Sequence, residues 1–156
     1  MPSFRTRRLV RFTPEQMFAL VADVERYPEF LPLCENLTVR SREPIAGDGE
    51  RVICQMVASL GPIRESFTSE VVLRPTERRI DVRYLEGPFR KLDNVWAFQP
   101  DPAGCAVEFF IDYEFRSLPL QLLMGGMFDR AFRKFAEAFE ERACAVYDRH
   151  GADRSG

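Results

Sequence analysis

A chain of 156 residues is long enough to bury a core without disulfide or metal staples, and it reads as one domain over 1–149 with a frayed tail over 150–156. Its 22 Lys and Arg against 24 Asp and Glu leave a net charge of −2, which excludes a general polyanion binder, because phosphate-backbone binding needs a clustered basic surplus. With 46% hydrophobic and 29% charged residues the chain is not disordered, and 14 Phe beside one Trp is more aromatic surface than so small a core must hold.

In chain order, Phe4 to Phe12 alternates loosely, with Phe4, Val10 and Phe12 on one side and Arg5, Arg7 and Arg11 on the other, so a first strand is expected there. The arginines, with Arg8 out of phase, read as a solvated strand face rather than an anion patch. Thr13-Pro14-Glu15-Gln16 starts a helix, with Thr as N-cap, Pro at the first position and Gln three residues on. Tyr27-Pro28-Glu29-Phe30-Leu31-Pro32 follows as a short helical turn bracketed by prolines, which either gates a pocket or plugs one end of the core.

From Leu37 to Phe115 the apolar period is two. Turns at Gly47-Asp48-Gly49-Glu50, Gly61-Pro62, Arg74 to Glu77, Glu86-Gly87-Pro88 and Gln99 to Gly104 divide this stretch into six hairpin-linked strands. Ser117 to about Arg149 then reads as one long amphipathic helix whose stripe is Met124, Phe128, Ala131, Phe132, Phe135, Phe139 and Ala143. Gly125-Gly126 inside it is expected to kink or hinge the helix. Only that helix can cover the apolar face of the sheet, so the fold is α+β, a helix grip with two short helices after the first strand.

No active-site constellation is legible. The only histidine, His150, lies in the tail, and Cys34, Cys54, Cys105 and Cys144 are scattered singly, so neither a triad nor a metal site is expected. Met1 to Phe12 lacks the apolar run of a signal peptide, and nothing approaches the roughly 20 apolar residues of a membrane span. A cytoplasmic chain with reduced thiols and no cofactor is expected. Inside the grip, Met56, Val82, Trp96, Phe98, Phe109, Ile111, Tyr113 and Phe115 form one wall, capped by Met124, Met127, Phe128 and Phe132. Asn94 shares this apolar parity, so its amide must bond either to protein or to something bound. A solid core would read the same way as a ligand cavity.

Val24 to Cys34, the run from Gly87 to Phe98, and Phe115-Arg116-Ser117 leading into a helix with Phe139-Glu140-Glu141-Arg142-Ala143 resemble the coenzyme-Q-binding branch of the START-like, polyketide cyclase/dehydrase superfamily. The resemblance covers roughly Phe4 to Tyr147, and its most specific part is the Tyr-Pro-x-Phe-Leu-Pro-x-Cys run. It implies a seven-stranded lipid-binding domain that carries ubiquinone without a reaction of its own, supporting respiratory electron transfer and quinone biosynthesis. Tyr27, Phe30, Leu31, Pro32 and Trp96 would frame the cavity, and residues 118–127 its mouth.

On this reading the partners are a prenylquinone, respiratory or quinone-biosynthesis proteins, and a membrane surface met by Leu118, Leu120, Leu122, Leu123 and Met124 at the inner face of the cytoplasmic membrane. The same resemblance includes a bacterial sub-branch of toxins that bind the large ribosomal subunit and block subunit association, the alternative function. A cyclase or dehydratase is the remaining alternative.

Overall fold

Two-residue alternation puts the apolar side chains of each strand on one face, and in the computed structural model, which describes residues 3–60 and 63–148, these faces join into one antiparallel sheet. The strands are β1 (Ser3–Val10), β2 (Cys34–Pro44), β3 (Glu50–Leu60), β4 (Ile63–Arg74), β5 (Arg79–Glu86), β6 (Phe89–Asp101) and β7 (Gly104–Phe115). Their order is β1-β7-β6-β5-β4-β3-β2, so β2 to β7 form a meander and the first strand closes onto the last. The Gly61-Pro62 turn and the tail with His150 lie outside the described residues.

β1 ends at Val10, two residues before the expected Phe12, because the chain must turn there into the cap of helix α1 (Pro14–Ala22). The Thr13 hydroxyl accepts from the Gln16 N–H at 3.0 Å, and the Gln16 side chain accepts from the Thr13 N–H at 3.0 Å, completing the capping box. A 3₁₀ turn (Val24–Glu29) carries Tyr27 and Pro28 next. Gly87 has φ +144°, and a side-chain carbon there would sit 2.5 Å from Phe67 Cβ, so the turn between β5 and β6 requires glycine.

The expected single C-terminal helix is divided at Lys134 into α2 (Leu118–Arg133) and α3 (Phe135–Ala143), followed by a π-type turn (Cys144–Asp148). Gly125 and Gly126 do not interrupt it; they lie within α2. At the break the Lys134 N–H bonds to the Ala131 carbonyl at 3.0 Å, a three-residue turn that brings Phe132 and Phe135 onto one inward side with ring centroids 5.4 Å apart. On the outside Arg133 bonds to Asp129 at 2.9 Å, one turn back on α2, whereas Glu137, one turn on and beyond the break, is in no ion pair among the described residues. Among the described residues no helix is long and apolar enough to cross a membrane.

Candidate functional site

The inner face of the sheet, the 3₁₀ turn and the C-terminal helices enclose a cavity of about 80 Å³. β2 to β7 supply Leu37, Met56, Val71, Val82, Trp96 and Ile111 among others, the turn region supplies Val24, Tyr27 and Leu31, and Phe132, Phe135 and Phe139 form the roof. Of the residues singled out from sequence, Tyr27, Leu31, Met56, Val82, Asn94, Trp96, Ile111 and Phe132 meet on this cavity.

The others are placed elsewhere. Phe30 packs edge-on against Phe139 at 5.1 Å, while Phe98 lies parallel to Trp96 at 6.4 Å and Phe109 is tilted against it at 4.6 Å, both backing the wall rather than lining it. Tyr113 and Phe128 belong to a filled aromatic cluster with Phe89 and Phe115 under α2, where Phe89 and Phe115 stack at 4.8 Å. Met124 is buried off the cavity and Met127 is half-buried. The reason is that parity assigns each side chain to the inner face but not to a depth; here the rings under α2 fill their own space. Ser69, Phe135 and Phe139 are lining residues that the wall read from sequence lacks. Their signals were present: Ser69 shares parity with Phe67 and Val71, and both phenylalanines continue the helix stripe.

Asn94 is bound by protein. Its Nδ2 donates to the Phe110 carbonyl at 2.8 Å and its Oδ1 accepts from Trp96 Nε1 at 3.0 Å, so the amide orients the indole that lines the cavity. The Tyr27 hydroxyl donates to the Val21 carbonyl, and burial raises its pKa. Burial likewise pushes the Tyr113 phenol up to about 12, the Cys34 thiol to about 12 and the Cys54 thiol to about 11. These groups stay protonated at neutral pH. Among the described residues no carboxylate, histidine or lysine lines the cavity, and no cluster of His, Cys, Asp and Glu could hold a metal. Chemically, the site can solvate an apolar group and offer it a hydroxyl or amide.

On the outside, Arg7 faces Asp101 at 3.9 Å, Arg8 bonds to Glu140, Arg11 bonds to Asp148, and Arg5 lies over the Phe110 ring at 4.6 Å. The N-terminal arginines are thus occupied by carboxylates and an aromatic face. Of the five residues expected to form one apolar contact, Leu118, Leu122 and Leu123 are exposed, Leu120 is half-buried and Met124 faces the core. The helical period sets this: Met124 falls on the side of Phe128 and Phe132.

The family described as "Polyketide cyclase / dehydrase and lipid transport" matches residues 10–140, and the chain belongs to it. It is 33% identical over 149 residues to "Ribosome association toxin RatA" of Rickettsia prowazekii, covering 94% of this chain and 99% of that one. It is 30% identical over 146 residues to "Coenzyme Q-binding protein COQ10 homolog B, mitochondrial" of Xenopus laevis, spanning 91% of this chain and 58% of that protein. Among solved structures, an 18 kDa protein of Caulobacter crescentus is 32% identical, with a TM-score of 0.77 over 95% of this chain and 99% of that one.

Proposed function

We propose that this member of the polyketide cyclase/dehydrase and lipid transport family acts on ribosome association, binding the large ribosomal subunit and hindering its pairing with the small one. The observation that carries this reading is the end-to-end likeness to a protein named for ribosome association, 94% of this chain against 99% of the relative. The cavity agrees with it. At about 80 Å³ it lies well below the roughly 300–1,000 Å³ of sites that take drug-sized ligands. Non-catalytic action fits the lining, which offers no general acid or base. The test is a sucrose gradient of ribosomes with added protein at physiological salt: the intact-ribosome peak falls, free subunits rise, and the protein travels with the large subunit. Absence of cosedimentation even at low salt overturns the reading.

A second reading, the binding of a prenylquinone or similar apolar lipid, is favoured by the lining itself: aliphatic and aromatic walls with Ser69 and Asn94 as inward polar groups. A quinone head would enter only with displacement of the roof formed by Phe132, Phe135 and Phe139. Solvent extraction of purified protein, with ultraviolet and mass detection, should then yield a near-stoichiometric quinone. An empty extract from protein that also fails to take up added quinone overturns it.

A further inference from the structure

We propose that the outer face of α2 docks on the surface of an anionic lipid bilayer. Among the described residues the exposed large hydrophobics are Leu9, Leu85, Leu118, Leu122 and Leu123, and three of them lie together in α2. Leu118, Leu122 and Leu123 are 68%, 77% and 60% exposed in the first two turns of α2. Leu85 lies near the end of β5, just before the Gly87-Pro88 turn, whose Pro88 carbonyl accepts the Arg116 N–H at 3.0 Å and so ties that turn to the start of α2. With Met124, Phe128 and Phe132 turned inward, the helical period sets Pro119, Leu122, Leu123 and Gly126 outward, then Arg130, while Arg133 lies over the Phe4 ring at 4.5 Å. One face therefore runs from apolar to cationic along the helix.

Charge selects the occupant. Residues 116–134 carry Arg116, Arg130, Arg133 and Lys134 against Asp129 alone, in a chain of net charge −2. Asp129 is taken by Arg133 at 2.9 Å, and the first turn of α2 holds no acid. Of the carboxylates on the adjoining strands, Glu114 is bonded to Arg90 at 3.2 Å, and Glu65 and Glu86 are near enough to Tyr84 for their charge to act on its phenol. Leucines offer no ring for an RNA base to stack on. They suit an interfacial helix, which sinks its apolar side about 5–10 Å to the acyl boundary while cations meet lipid phosphates. Seven residues, about 10 Å of helix rise, separate Leu123 from Arg130, so on a helix lying along the surface the guanidinium reaches headgroups beside the immersed leucines. A depression of about 350 Å³ between Arg90, Arg116, Leu118 and Gln121, which Glu114 also lines while bonded to Arg90, gives a headgroup room beside them.

The test is flotation of the full chain with vesicles of phosphatidylcholine alone and of phosphatidylcholine with phosphatidylglycerol. Binding should require the anionic lipid and weaken with salt. Leu122→Asp with Leu123→Asp should lower the partition at least tenfold, and Arg116→Gln with Arg130→Gln about thirtyfold, at about 1 kcal/mol per cation. Unchanged urea midpoints show that both variants still fold. Equal binding to neutral vesicles, an unaffected leucine variant, or no binding at all overturns the proposal. If the chain ignores vesicles and the leucine variant loses cosedimentation with ribosomal subunits, the face belongs to the ribosome instead. The vesicle assay contains no ribosomes, so failure here and failure of the ribosome reading are separate results.

Discussion

The two halves of the C-terminal stripe meet the sheet in different ways. In α3 the Phe139 ring lies 5.3 Å from Tyr27, 5.1 Å from Phe30 and 5.1 Å from Trp96, and the outer side is fastened by Arg142 to Glu29 at 2.7 Å and by Glu140 to Arg8. In α2 the inward residues pack as well, but the outer side carries free leucines, its ion pair, Asp129 with Arg133, stays within the helix, and its one charged contact with the sheet, Arg133 over the Phe4 ring at 4.5 Å, comes at its last residue. The same inward periodicity thus produces a pinned roof over the cavity and, one turn away, a helix whose far side is available. Elements that bind or move are drawn from regions with fewer cross-ties, and by that measure α2 and not α3 is the candidate.

The contrast is broken most directly by a pair of substitutions. Phe139→Ala should cost about 3–5 kcal/mol in urea unfolding, whereas Leu122→Asp should stay within about 0.5 kcal/mol because its side chain is already in water. Equal losses would mean that α2 is as firmly packed on its outer side as α3 is within. Asn94→Leu should cost about 1–3 kcal/mol by stranding the Trp96 N–H and the Phe110 carbonyl; an unchanged unfolding midpoint and tryptophan emission would show that the amide orients nothing.

Gly126→Ala should act in the opposite direction. A side-chain carbon there meets nothing within 4 Å, so the helix should gain about 1 kcal/mol. A loss would reveal a close approach at α2 absent from this conformation. The smallest effect concerns pH. Hydrogen bonds from Arg26 and then Arg142 hold the Glu29 carboxyl below its ordinary 4.5, so its contribution is present above that value and is lost as pH falls through the lower folded one. An NMR titration should find Glu29 depressed, and Arg142→Gln should move it back toward 4.5 with little change in the urea midpoint. A titration unmoved by that change would remove Arg142 as a clamp on α3.

Much of the architecture was legible without coordinates. The capping box at Thr13, the turn at Gly47 to Glu50 and the break at Gly87-Pro88 each declare themselves through local backbone chemistry. The site was half legible. Tyr27, Leu31 and Trp96, highlighted by the Tyr-Pro-x-Phe-Leu-Pro resemblance and the β6 parity, do meet at the cavity, yet Tyr113, on the inward parity of β7, and Phe128, on the helix stripe, instead fill the adjacent cluster.

The sequence by itself determined the strands, their turns and the inward face of each element, because alternation, capping and the helical stripe depend on residues a few positions apart. Only the tertiary structure decided that Asn94 is spent on Trp96 and Phe110, that Arg8 and Arg11 answer Glu140 and Asp148, that the helix breaks at Lys134, and that a small space survives above Trp96. Those outcomes depend on partners on other elements, 16 residues from Asn94 in the case of Phe110 and 132 and 137 residues away for the two arginines, or on how completely rings of similar size fill a curved sheet, and a local period assigns a side chain to a face without assigning it a neighbour or a depth.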